Sequence, residues 1–252
     1  MLTKRLIPCL LLSNGGLVKT TKFSEPKYVG DPINAIHIFN EKEVDELIVL
    51  DIKASKEKRE PNYELIGKIS GECFMPLCYG GGIRTIEQAR HIFKLGVEKI
   101  SIQTAAHENL NIVRQIAGEV GRQSVVASID VLKTRLGKYR LYSASTGRIS
   151  HISWLEYLKS VVDAGAGEIV LNAVNNDGMM KGMDLDMIQQ ASKNTNVPLI
   201  AIGGAGSLFH IKSAFESGAN AVAAGAFFVF HGPHRAVLIT YPGQNEINQL
   251  FK

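Results

Sequence analysis

Four charged residues stand at the starts of four apolar runs: Arg5 before "LIPCLLL", Glu46 before "LIVLDI", Lys99 before "ISIQ" and Glu168 before "IVLNAV". Two cations and two carboxylates at matching places can neutralise one another in a ring, and a ring around an opening would admit a small polar molecule. Charges at exposed strand starts are the plainer alternative. At the far ends of such runs stand Gln103, Asp130 and Asn172. A carboxylate flanked by amides can hold or transfer a proton. The opening run breaks this pattern, because "RLIPCLLLSNGG" ends in Leu10, Leu11 and Leu12 before the chain turns.

Two glycine clusters add a second chemistry. Gly80-Gly81-Gly82 and Gly203-Gly204-Ala205-Gly206 each separate an apolar run from an amphipathic segment. Glycine lets backbone N–H groups approach an anion, and a helix amino terminus adds favourable partial charge. The runs that follow end in small residues, Ser101 and Thr104 in one case, Gly225 and Ala226 in the other. Tight strand-to-helix turns need glycine for geometry alone. Paired recurrence points further, to a small molecule phosphorylated at both ends and held at Gly82, Ser101, Thr104, Gly204, Gly225 and Ala226.

The elements that must position these groups alternate regularly. Strands are predicted over 5–12, 46–52, 76–80, 99–103, 124–130, 168–174, 198–204 and 221–227. Segments of helical period lie between them, such as "DPINAIHIFNEKEV", "TIEQARHIFKLG", "SWLEYLKSVVDAG" and "SLFHIKSAFESG". Each opens near Asp, Ser or Thr, which can cap orphan N–H groups, and several close on Gly. Eight strands alternating with eight helices predict a single (β/α)8 TIM barrel over 1–252, an α/β fold. Side chains two apart share a face. Inward sets therefore read Arg5, Ile7, Cys9, Leu11; Glu46, Ile48, Leu50; Lys99, Ser101, Gln103; Val126, Ser128, Asp130; and Glu168, Val170, Asn172. An internal half-barrel repeat is predicted as well: 79–100 can be laid on 202–222, and 45–52 on 167–174, at one shared offset. The segment 20–30 is long for a connection of this kind and reads as a lid or a rigid surface loop.

Composition narrows the class. The 252 residues are 45% hydrophobic and 21% charged, with a net charge of +4. That balance gives no reason to expect nucleic acid, and Lys53, Lys56, Lys58 and Arg59 read as solvated loop charge. No apolar run approaches the roughly 18 residues that cross a bilayer, and no secretory leader is visible. Three cysteines, Cys9, Cys73 and Cys78, lack paired metal spacing, which predicts free thiols in a reducing cytoplasm. His91, His107, His151, His210, His231 and His234 show no ligand spacing, so neither a metal nor another cofactor is expected. Cys9 reads as a small interior filler, and Trp154 as packing at a helix start.

The stretches "KRLIPCL", "GLVKTTKF", "DELIVLDI", "GGGIRTIEQA", "EKISIQTAA", "VVASID", "GAGEIVLNAVNNDG", "IGGAG" and "AVAAGAF" together resemble HisF, the cyclase subunit of imidazole glycerol phosphate synthase, over essentially the full chain. The resemblance implies a barrel that binds a substrate with phosphates at both ends. It implies a HisH-type glutaminase on the amino-terminal barrel face, with ammonia passing the ring Arg5, Glu46, Lys99 and Glu168. The family uses two aspartates as acid and base. One corresponds to Asp130; the other falls on Leu11, which can neither take nor give a proton. Gln103 replaces the family's usual Asn, Asn172 and Asn175 alter the sixth-strand end, and Tyr79 precedes the first glycine cluster. Lys19 and Asp51 match, Asp177 joins them on the active face, and the resemblance implies Gly178 as a further phosphate-binding residue.

Three readings follow from the resemblance. The chain looks like divergent HisF-like paralogues associated with bacterial surface-polysaccharide synthesis, conducting ammonia to a sugar amidotransferase that makes acetamidino sugars. A second reading is a working cyclase of histidine biosynthesis, a lyase that manages with Asp130. A third is a scaffold that only activates the glutaminase.

Overall fold

Alternation of inward and outward side chains lets the strands close on themselves. The computed structural model describes residues 4–250; the first three and last two residues of the 1–252 span lie outside the described residues. The barrel strands are β1 (Arg5–Ser13), β2 (Leu47–Asp51), β3 (Leu77–Gly80), β4 (Lys99–Ile102), β5 (Val125–Lys133), β6 (Glu168–Ala173), β7 (Leu199–Ile202) and β8 (Ala221–Ala224). Each pairs in parallel with the next, and β8 pairs with β1, which completes the circle.

Helices α1 (Pro32–Glu41), α2 (Tyr63–Glu72), α3 (Ile86–Lys94), α4 (Asn111–Val120), α5 (Trp154–Asp163), α6 (Leu185–Ser192), α7 (Leu208–Glu216) and α8 (Gln244–Leu250) surround the strands. Their starts follow capping chemistry. Asp31 accepts from the Ile33 and Asn34 N–H groups, Ser207 accepts from His210, and Thr85 forms a reciprocal box with Gln88. Ser153 stands before α5 without a side-chain cap bond, and Trp154 is buried there. Two further short helices, Thr104–Glu108 and Ala226–Val229, begin directly after β4 and β8.

Two apolar layers result. Leu6, Leu10, Leu12 and Phe39 belong to the layer between strands and helices, whereas Ile7, Cys9, Ile48, Cys78, Val126 and Ala223 fill the barrel. Strand register repeats between the two halves. Leu50 pairs with Gly80 and Gly80 with Ser101; Asn172 pairs with Ile202 and Ile202 with Ala223. Outside these, Leu11 pairs with Leu50, and Asp130 with Asn172. Leu11 therefore occupies in the first half the place that Asp130 occupies in the second.

The segment 20–30, expected as a loop, belongs instead to an antiparallel hairpin of Gly16–Thr21 and Ser24–Gly30 that pairs back on the end of β1. Asn14 and Gly15 make the turn that starts it, with φ of 53° and 81°. Positive φ at both central positions is what a type I′ turn requires, and Asn-Gly is its preferred sequence. β5 also extends, through Lys133, into a second hairpin with Tyr139–Ser143 and Arg148–Ile149. A third small hairpin pairs Phe230–His231 with Ala236–Val237.

Candidate functional site

At the amino-terminal end of the barrel the four charges meet in one ring. The Arg5 guanidinium donates to Glu46 and to Glu168. Lys99 Nζ lies 2.9 and 3.1 Å from the two Glu46 oxygens and 2.9 Å from Glu168 Oε2. Each carboxylate thus meets both cations. The carboxylate side chains are nearly fully buried, while Arg5 and Lys99 remain 22% and 21% exposed. Burial alone would lower the pKa of both cations, but the paired carboxylates outweigh it and hold them raised. Just inside the ring, burial and then the Glu46 charge push the Cys78 thiol well up, leaving it an uncharged filler.

The carboxyl-terminal mouth sets a buried acid–amide pair across from two leucines. Asp130 is 3% exposed and accepts from the Gln103 amide. Burial pushes its carboxyl to about 7; Gln103 opposes, the nearby Asp177 adds, and Asn172 opposes weakly. Asn172 Oδ1 is buried without a hydrogen-bond partner, an acceptor aimed at nothing in the chain. Across the mouth, Leu11 and Leu50 pack on the barrel interior. The equivalent places of the two half-barrels therefore carry an acid–amide pair and a pair of leucines.

The second glycine cluster borders a partly open pocket lined by Leu11, Lys19, Gly178, Gly204, Gly225 and Ala226 among others. Lys19, on the first hairpin, is 5% exposed, and its Nζ donates to the Cys9 carbonyl. Burial lowers its pKa, against the pull of Cys9 and Asp177. A side chain at Gly225 would place its Cβ 2.5 Å from that Nζ, so glycine is what leaves room for the cation. Asp177 accepts from Thr20 Oγ1 at 3.1 Å, and burial raises its carboxyl against Thr20 and Lys19.

The first glycine cluster is arranged differently. The Gly82 N–H donates to Ser55 Oγ at 3.2 Å, and Arg84 holds the Ser55 carbonyl at 3.1 Å. Asp51 accepts from the Lys53 and Ala54 N–H groups at 3.0 Å each, and Arg59 folds back to it at 3.5 Å. Ser101 is buried beside Gly80, and Thr104 opens the short helix after β4. The structure thus gathers all the predicted mouth residues at one end of the barrel, yet it gives the two glycine clusters unlike surroundings. Ser55 was not anticipated; its part depends on how residues 52–60 fold, for which the sequence carries no periodic signal.

Charged ring, buried mouth carboxylate and glycine clusters occur together in a chain that matches the histidine-biosynthesis protein family over residues 5–233. The chain belongs to that family. Within it, the chain is 56% identical over 249 residues to a Pseudomonas aeruginosa protein provisionally named imidazole glycerol phosphate synthase subunit hisF2, covering 98% of this chain and 99% of that protein. A Leptospira interrogans protein, also provisionally named as a HisF subunit, is 47% identical over the full length of both chains. The Streptomyces coelicolor imidazole glycerol phosphate synthase subunit HisF is 38% identical over 229 residues, 91% of each chain. Likeness of this extent makes this a HisF-like chain. No helix among its described residues is long and apolar enough to cross a membrane.

Proposed function

We propose that this HisF-like chain is the synthase-side subunit of a cytoplasmic glutamine amidotransferase complex, and that it conducts ammonia without closing an imidazole ring. A HisH-type glutaminase docks on the amino-terminal face, where Arg5, Glu46, Lys99 and Glu168 form the port. Ammonia leaves at the opposite mouth for a sugar amidotransferase of surface-polysaccharide synthesis. The second glycine cluster, with Lys19, holds a phosphorylated small molecule, and the first cluster contributes where Ser55 yields Gly82. One observation carries the reading: Leu11 stands at the half-barrel equivalent of Asp130, beside Leu50. Proton transfer by a positioned carboxylate is worth about 10²–10⁴-fold in rate, and the leucine forfeits it.

A cyclase assay with ammonium salt in place of a glutaminase tests this directly. The wild-type chain is expected to form no imidazole product, and Leu11→Asp to restore measurable turnover. Robust turnover by the wild type would defeat the reading. One observation favours the second reading, a cyclase: Asp130 keeps a burial-raised carboxyl near 7, suited to acid–base work. That reading predicts turnover that Asp130→Asn abolishes. The mutual pairing of all four charges favours the third, a scaffold. Glu46→Trp separates it, since a plugged port should stop ammonia delivery while leaving glutaminase activation in place.

A further inference from the structure

Arg235 ties the hairpin that follows β8 to the loop that follows β6. The residue lies in the hairpin of Phe230–His231 and Ala236–Val237 with φ of 50°, a left-handed conformation that a non-glycine residue keeps only when its surroundings impose it. Its Nη2 donates to the carbonyl of Gly178 at 3.0 Å and to that of Met179 at 3.4 Å. Its guanidinium also lies 5.9 Å from the centre of the Phe230 ring, and Lys27 Nζ, from the first hairpin, lies 5.5 Å from the same ring. On the other flank the Lys22 N–H donates to the Asp177 carbonyl at 3.0 Å. Successive peptide groups, 177–178 and 178–179, are therefore each held by their carbonyls. Because a peptide group is planar, the bond to the Asp177 carbonyl directs the Gly178 N–H, while the bond to the Gly178 carbonyl directs the Met179 N–H, which donates to the Asn176 carbonyl at 3.0 Å; Arg235 thus restrains Gly178 from its carbonyl side. Gly178 lines the pocket and Arg235 does not.

We infer that Arg235 is a positioning residue for a bound phosphoryl group: it restrains the backbone at Gly178, while Phe230 of the same hairpin carries Lys27 of the first hairpin on its ring. Anion binding and seating of the first hairpin then become one event. The inference rests on the reading of the second glycine cluster as an anion cradle. Its chemistry is that of a phosphate monoester: the nearly buried Lys19 cation, with glycine backbone at Gly178, Gly204 and Gly225.

Inorganic phosphate is the probe, titrated calorimetrically into the full chain, with trypsin cleavage after Lys22 and Lys27 followed in parallel. Wild type is expected to bind phosphate and to be protected by it. Arg235→Ala is expected to bind about tenfold more weakly and to lose the protection, with a phosphate-free melting temperature lowered only by the loss of its carbonyl hydrogen bonds. Arg235→Lys, which keeps the charge but lacks the planar fork, is expected to be weakened as well. Phe230→Leu keeps the carbonyl clamp and is expected to retain phosphate affinity while losing protection. Absence of binding by wild type would overturn the cradle reading and this inference with it. Binding by wild type and equally by Arg235→Ala would overturn this inference alone. A Lys variant indistinguishable from wild type beside a weakened Ala variant would show that charge, not the clamp, matters. Protection kept by Phe230→Leu would remove the link to the hairpin.

Discussion

At the scale of single residues, Asp130 has a consequence that its surroundings alone dictate. Burial lifts its carboxyl from 3.8 to about 7, so the folded chain binds a proton that the unfolded chain has already released. The contribution to stability is therefore full below about pH 4 and is lost as pH rises through about 7. The span corresponds to about 4 kcal/mol at most. Asp130→Asn removes the titration while keeping an amide for Gln103 to pair with. The variant should melt above wild type at pH 8, and the difference should close as pH falls toward 4. Parallel melting curves across that range would contradict the burial argument. Leu11 poses the converse case. Leu11→Asp puts a second carboxylate against Leu50 and the barrel interior, so its stability should be lowest above neutrality, where both acids ionise.

At the scale of elements, the two turns of the first hairpin differ in the residues that make them. Asn14-Gly15 suits the left-handed conformation, whereas Lys22 and Phe23 adopt φ of 51° and 62° without that help. Gly15→Ala should cost about 1 kcal/mol through backbone strain alone, because nothing lies within 4 Å of the added methyl. Lys22→Asn should move stability the other way, by roughly 0.5–1 kcal/mol, since Asn tolerates that region better. Thermal melts of the two variants check both signs. The same turns show what sequence could reveal. Asn14-Gly15 between apolar runs was a hairpin signal open to reading. Lys22-Phe23 was not, because ordinary residues are held there by the seating of Phe23 against Tyr142 and of Lys22 on Asp177. Helix starts at Asp31, Thr85 and Ser207 were legible for the opposite reason: a cap acts within three residues of itself. The hairpin built on β5 pairs with a strand extension that only the folded barrel supplies.

At the scale of the whole molecule, strand alternation carried the reading from sequence to site. It placed Arg5, Lys99 and Glu168 at one end and Gln103, Asp130 and Asn172 at the other, because the period of a strand is fixed. Contacts such as Ser55 to Gly82 and Arg235 to Gly178 escaped, since loops have no period. The ring now yields a prediction that depends on its shared pairing. Glu46 and Glu168 are buried and share Arg5 and Lys99, whereas the two cations keep contact with water. Lys99→Met leaves two buried carboxylates competing for Arg5, and should cost about 3 kcal/mol at pH 7. Glu46→Gln leaves two partly hydrated cations sharing Glu168, and should cost about 1 kcal/mol. Urea denaturation of both variants at pH 7 measures this. Equal costs at pH 7 would mean that the carboxylates reach water, and the four charges would then be a set of surface pairs rather than a port.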